Sequence, residues 1–192
     1  MNRYLATLIF GPPGVGKGTQ AKLLAKTGDY FHFSTGDRFR NIDTGTDIGA
    51  KVRSLIDGGN FVPDELVMKM FGEMIDTEIK AGAYDPEKQY IILDGIPRTV
   101  PQVLLIDSTF HVKRLIYLDA PDQMLIDRIL SRGKLEGRAD DQDVETIKHR
   151  LDTYRKKTLP LLEEYPEYKI TIIDGSGTID DVYSLIQEEI RI

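Results

Sequence analysis

Runs of apolar, largely β-branched residues recur at LATLIF (5–10), YIILD (90–94), RLIYLD (114–119) and KITIID (169–174), with a shorter one at YFHFS (30–34). Between them, helical patterning covers 16–26, about 65–80, 100–108, 121–131, 142–164 and 179–190. Continuous apolar runs alternating with helices predict an α/β protein of three layers. Its five-stranded, mostly parallel sheet would be covered by helices on both faces. The longest helix is expected to start at Asp140 or Asp141, with acids in its first turn.

Two stretches break the alternation. Residues 35–62 hold two short helix candidates and the turn-rich GGNFVP, without a strand. Residues 131–141, SRGKLEGRADD, are polar and glycine-broken between two helices. Both read as excursions from one core, and loops at the carboxyl ends of parallel strands are where α/β proteins place their chemistry.

A length of 192 residues suits one sizeable core, so 1–192 is expected to be a single unit. With 41% apolar and 29% charged residues it is expected to be globular. No apolar run approaches a membrane span, and the first apolar segment stops at Gly11 without a secretion signal, so a cytoplasmic protein without membrane contact is expected. Cysteine is absent, and His32, His111 and His149 lack ligand spacing; a protein-held zinc is not expected, and the histidines are assigned to packing or solvent. A net charge of -6 argues against a nucleic-acid partner. Phosphate binding would have to be local.

The segment GPPGVGKGTQ (11–20) provides for it. It joins the first strand candidate to the first helix, where unpaired N–H groups and the positive end of a dipole face an anion. Gly11, Gly14 and Gly16 let the backbone close around phosphate oxygens, Lys17 adds a mobile charge, and Thr19 a hydroxyl. The usual phosphate loop has Ser or Thr directly after Lys; Gly18 stands there instead, which leaves the hydroxyl's magnesium role open. A dinucleotide fingerprint fits worse, since its third glycine would fall at Thr19.

Three further sets matter. STGDRFR (34–40) reads alone as a helix start capped by Ser34 or Thr35. In ILDGIPRTVPQ (92–102), Asp94 ends a strand where an acid would reach magnesium directly or through water, with Arg98 beyond the turn. Arg128 and Arg132 lie four apart on one helix face, and such like charges repel mildly unless an anion sits between them.

Taken together, GPPGVGKGTQ, STGDRFR, GNFVPDELV (59–67), DGIPRTVPQ (94–102), GRADD (137–141) and HRLDTY (149–154) resemble the adenylate kinase family of nucleoside monophosphate kinases, in order and spacing over nearly the whole chain. Glycine after the lysine is usual in that family; Ile96 replaces its more common Phe.

The resemblance implies a P-loop NTPase fold and an enzyme catalysing MgATP + AMP ⇌ MgADP + ADP. It implies that Gly14, Val15, Gly16, Lys17, Gly18 and Thr19 hold the ATP phosphates, with Arg128 and the Gly177 backbone near the adenine. The AMP site would take Thr35, Gly36 and Arg40, the Asn60, Phe61 and Val62 backbone, and Gly95, Ile96, Pro97, Arg98 and Gln102. Lys17, Arg98, Arg132, Arg138 and Arg150 would be catalytic, meeting the transferring phosphoryl group; Arg132 would also touch ATP, and Arg138 and Arg150 AMP. Magnesium would arrive with ATP, Asp94 reaching it through water.

Residues 35–62 become the monophosphate-binding insertion and 131–141 a short lid with pivots at Gly133 and Gly137, in a monomer. Relatives acting on UMP and CMP typically carry Ala at the position of Thr35 and Asn at those of Thr99 and Gln102; this chain follows the AMP pattern at all three. A nucleotide switch would need an Asn-Lys-x-Asp segment, which is missing, and a non-catalytic nucleotide binder would have no use for Lys17, Asp94, Arg98 and the lid arginines together.

Overall fold

The computed structural model describes residues 4–190. Five strands, β1 (Tyr4–Phe10), β2 (Tyr30–Ser34), β3 (Tyr90–Asp94), β4 (Phe110–Asp119) and β5 (Ile170–Asp174), form one sheet in the order β2-β3-β1-β4-β5, and every neighbouring pair is parallel. The helices are α1 (Lys17–Ala25), α2 (Thr35–Arg40), α3 (Asp47–Asp57), α4 (Asp64–Lys80), α5 (Val100–Thr109), α6 (Asp122–Glu136), α7 (Val144–Thr153) and α8 (Ile179–Ile190).

Successive strand residues point to opposite faces, and both faces are apolar. Ala6, Leu8 and Phe10 of β1, with Ile91 and Leu93 of β3, join a cluster supplied by α2 to α5. Ile9 and Ile92 point the other way, into a cluster supplied by α1, α6, α7 and α8. The three layers expected from the apolar runs are therefore present.

Register decides where the chemistry falls. Ile9 pairs with Asp94, and Asp94 pairs with Ser34. The segments that follow β1, β2 and β3 consequently leave the sheet at one level, on its carboxyl edge.

Three boundaries differ from the pattern-based expectation. First, β4 begins at Phe110, four residues early, because the exposed His111 and Lys113 mask an alternating half-strand that carries a register shift against β1. Second, the long helix expected over 142–164 is α7 alone; the chain then loosens into a π turn at Tyr154–Thr158 and tightens into a 3-10 segment at Leu159–Glu164 that contains Pro160. Its cap is neither Asp140 nor Asp141 but Asp143, whose carboxylate accepts from the Thr146 N–H at 2.7 Å. Third, α6 continues to Glu136, so half of the stretch 131–141 is helical.

Gly133 lies inside that helix rather than at a pivot. A Cβ there would stand 2.6 Å from the Asp141 carbonyl oxygen, so glycine is what lets the Ala139–Asp141 turn pack onto α6. Gly137 ends the helix with φ +66, the left-handed conformation usual at that position. In an open helix, Gly→Ala stabilises by about 1 kcal/mol. Gly133→Ala is expected to do the reverse, lowering unfolding free energy by about 2 kcal/mol, measured by urea unfolding; a stabilised variant would remove the packing argument.

Candidate active site

A cleft of about 1150 Å³ opens at the carboxyl edge of the sheet, beyond the range usual for one small ligand. One wall is the loop after β1. Its backbone turns through left-handed conformations at Gly14 (φ +86) and Gly16 (φ +104), which side chains other than glycine resist. No side chain caps α1, so its first N–H groups remain for another acceptor. Lys17 arches back over the loop and donates to the carbonyls of Gly11 and Pro12 at 2.8 and 2.9 Å. Burial lowers its pKa to about 8; Arg98, Arg132 and Arg150 push the same way and Asp94 opposes them.

Gly18 has a geometric reason as well. A Cβ there would come 3.3 Å from Asp94 Oδ2, so its absence lets the Asp94 carboxylate stand against the first turn of α1. Burial favours the neutral form of Asp94, yet its hydrogen bond with His32 and the charges of Lys17 and Arg98 hold its pKa below the usual carboxylate value. The His32 Nε2 to Asp94 Oδ2 distance is 3.4 Å. His32 therefore belongs beside the site, not to generic packing; its position two residues before the STG turn was the only sign in the sequence.

The second wall is built from β2, β3 and the excursion at 35–62. Ser34 caps α2, accepting from the Asp37 N–H at 3.2 Å, and Thr35 donates to the Asp94 carbonyl at 3.1 Å. Gly36, Asn60, Phe61, Val62 and Gly95 line the cleft alongside. Arg98 is anchored by Nε to the Gly95 carbonyl at 2.7 Å and lies 5.1 Å from the Phe61 ring centre. Burial lowers its pKa to about 10, assisted by Arg40 and Arg150 and opposed by Asp94 and Asp140. Ile96 and Pro97 are not part of the wall: both are buried, Ile96 in the core cluster. Gln102 reaches the cleft with both ends of its amide engaged (Oε1 to the Arg98 N–H at 2.8 Å, Nε2 to Asp64 at 2.6 Å).

The remaining arginines converge from the far side. Arg132 places Nε and Nη2 on the two oxygens of Asp141 at 2.6 and 3.1 Å, and Arg150 shares Oδ1. Asp140 accepts from Arg40 and Arg150, each at 2.9 Å. Arg138 reaches Asp37 at 3.3 Å and Glu136 at 2.6 Å. The two acids expected to cap a helix are thus buried counterions. Arg128 turns away from this cluster and donates to the carbonyls of Gly175, Ser176 and Gly177.

A glycine-rich loop at a strand–helix junction, a strand-end acid beside it, and a convergence of arginines over a parallel sheet define a P-loop protein built to handle nucleotide phosphates. Known proteins narrow the class. The family model for adenylate kinase matches residues 9–170. The chain is 37% identical to an adenylate kinase of Flavobacterium psychrophilum, over 96% of this chain and 97% of that one. It is 38% identical to one of Parabacteroides distasonis (97% and 98% covered) and 40% identical to one of Micrococcus luteus (91% and 85% covered). The chain belongs to the adenylate kinase family.

The buried pairs carry a pH signature. Burial favours the neutral form of Asp141, but hydrogen bonds and charge from Arg132 and Arg150 hold its pKa below 3.8. A carboxyl depressed on folding contributes stability above its unfolded pKa and loses it as pH falls through the folded one. Asp94 has the same sign. Urea stability should therefore fall as pH drops below about 4, and Asp141→Asn should be less stable at neutral pH by about 3 kcal/mol with a shallower acid slope. An unchanged slope in the variant would show that Asp141 is not a source of the acid sensitivity.

Proposed function

We propose that this enzyme transfers the terminal phosphoryl group of MgATP reversibly to AMP, giving two ADP. The observation that carries the reading is the convergence of Lys17, Arg98, Arg132, Arg138 and Arg150 on one cleft, between the phosphate loop and the wall that holds Thr35 and Gln102. Two nucleotides entering from opposite ends would bring their phosphates together among these cations.

In this reading the loop from Gly14 to Thr19 cradles the ATP phosphates, and Lys17 exchanges its carbonyl partners for phosphate oxygens. Arg128, already bound to the turn at 175–177, would form the floor for the ATP base. Thr35, Arg40, the backbone at 60–62, Gly95, Arg98 and Gln102 would hold AMP. The acceptor is an anionic phosphate oxygen, so alignment and charge compensation are the enzyme's task and no strong base is needed.

Among the described residues no group of three or more His, Cys, Asp or Glu could hold a metal ion. The single carboxylate of Asp94 beside the loop suits a magnesium ion that arrives on ATP and keeps most of its waters. That ion would offset charge on the phosphates as they separate.

The excursions at 35–62 and 131–141 would act as monophosphate-binding insertion and lid. They already touch through Arg40–Asp140 and Arg138–Asp37, and their closure would exclude water that otherwise hydrolyses ATP. Among the described residues no helix is long and apolar enough to cross a membrane. A single chain contributes both nucleotide sites, so we place the enzyme as a monomer acting on cytoplasmic nucleotides.

Two measurements test the proposal. In a coupled assay of ADP formation with ATP as donor, AMP should be preferred over CMP, UMP and GMP, and Lys17→Met should lose activity by about a hundredfold or more; CMP exceeding AMP would assign the chain to pyrimidine monophosphates. With Lys17 near 8 in the free protein, kcat/KM for ATP should decline as pH rises past about 8, because the deprotonated amine no longer attracts phosphate. A flat profile through pH 9.5 or so would contradict that role for the amine.

A further inference from the structure

Gln102 is 3% exposed, yet it is among the residues that line the cleft. A free side-chain amide can rotate by half a turn and exchange its donor for its acceptor. This one is held. Oε1 accepts from the Arg98 backbone N–H at 2.8 Å, and Nε2 donates to Asp64 Oδ1 at 2.6 Å. A backbone N–H only donates and a carboxylate only accepts, so the two partners together permit a single orientation. Turned over, the amide would set its NH₂ against the Arg98 N–H and its carbonyl against the carboxylate.

Asp64 is itself fixed. It is the first residue of α4, the same oxygen accepts from Thr99 Oγ1 at 2.8 Å, and it stands outside the lining of the cleft. Its distance from the ligand space and its grip on Gln102 separate two roles that are often merged, contact and orientation.

The distinction matters for bases. A 6-aminopurine presents an acceptor at N1 and a donor at N6. A 6-oxopurine presents a donor at N1 and an acceptor at O6. An amide that turned freely would serve both; an amide held one way serves one. We infer that Asp64 is a specificity-determining positioning residue, holding the Gln102 amide in the order that accepts a 6-aminopurine monophosphate and rejects a 6-oxopurine monophosphate. The inference rests on the AMP reading above.

The test measures kcat and KM for AMP and for IMP, at saturating ATP, in wild type, Asp64→Asn, Asp64→Ala and Glu65→Gln. Asn at 64 keeps the shape but can turn either its oxygen or its NH₂ toward Gln102, so it no longer dictates the amide. Glu65 is exposed on the same helical turn, and its replacement controls for the loss of a first-turn charge. The AMP-to-IMP ratio of kcat/KM is expected to fall at least about tenfold in both Asp64 variants. The fall should come from a raised KM for AMP and improved use of IMP, with kcat for AMP within about threefold of wild type. Glu65→Gln should keep the ratio. A ratio within about twofold of wild type in folded Asp64 variants, or a parallel loss of kcat for both acceptors, would overturn the positioning role alone. A wild-type enzyme that does not phosphorylate AMP would overturn the acceptor reading as well.

Discussion

The carboxylate of Asp141, fully buried, grips Arg132 with both oxygens and Arg150 with one. Cationic side chains gathered this closely repel one another, and each pays desolvation to leave water. Asp141 and Asp140 remove much of that repulsion before any nucleotide arrives. The arginines are then held at fixed positions by their partners, the preorganisation that the proposed role toward phosphate charge would need. Removing one partner from such a buried set costs about 3–5 kcal/mol, because the other charges remain without compensation. The packing of the Ala139–Asp141 turn onto α6, which depends on the missing side chain of Gly133, therefore determines the electrostatics of the whole cleft.

A second constraint comes from the sheet. Parallel pairing at one level sends the segments after β1, β2 and β3 off the same edge, so that Asp94 stands between the phosphate loop and the STG turn. Gly18 and His32 then make sense together. The first leaves room for the carboxylate, and the second steadies it at 3.4 Å. An acid in this position is ionised through partners rather than through exposure, as its lowered pKa shows.

Much of this was legible in the sequence, and the unequal success has physical causes. The strands were readable because parallel strands buried on both faces are continuous apolar runs, whereas the first half of β4, with His111 and Lys113 outward, has the weaker alternating pattern. The phosphate loop was readable because backbone geometry dictates its glycines. The counterions were not. An acid that caps a helix and an acid that neutralises two arginines look alike in sequence, and only the tertiary approach of α6 to the 139–141 turn tells Asp140 and Asp141 from Asp143. Ile96 and Pro97 stood inside a recognisable motif, but Ile96 fills core volume and Pro97 is buried in the turn between Gly95 and Arg98. Asp64 was hidden for a related reason: it sits in the segment GNFVPDELV, where an acid at a helix start needs no further explanation.

The ion pairs across the cleft are graded in a way that bears on how it could open. Arg138–Asp37 is partly exposed, and pairs of that kind contribute about 0–1 kcal/mol. Arg132–Asp141 is buried on the acid side and two-pronged, so its disruption costs several times more. Between them lies Asp140, which holds Arg40 of one excursion and Arg150 of α7 on the same oxygen. If the excursions part to admit a nucleotide, the separation falls at Arg138–Asp37 and Arg40–Asp140, and Asp140 leaves with Arg150 still attached. The arginine cluster on α6 and α7 then moves as one preassembled body. Opening costs little at the partly exposed Arg138–Asp37 pair and more at Arg40–Asp140, whose acid is buried, while the contacts of Arg132 and Arg150 with Asp141 stay intact. Under the proposed reading, that division would let the cleft admit two large anions while the arginines that meet their charge stay fixed.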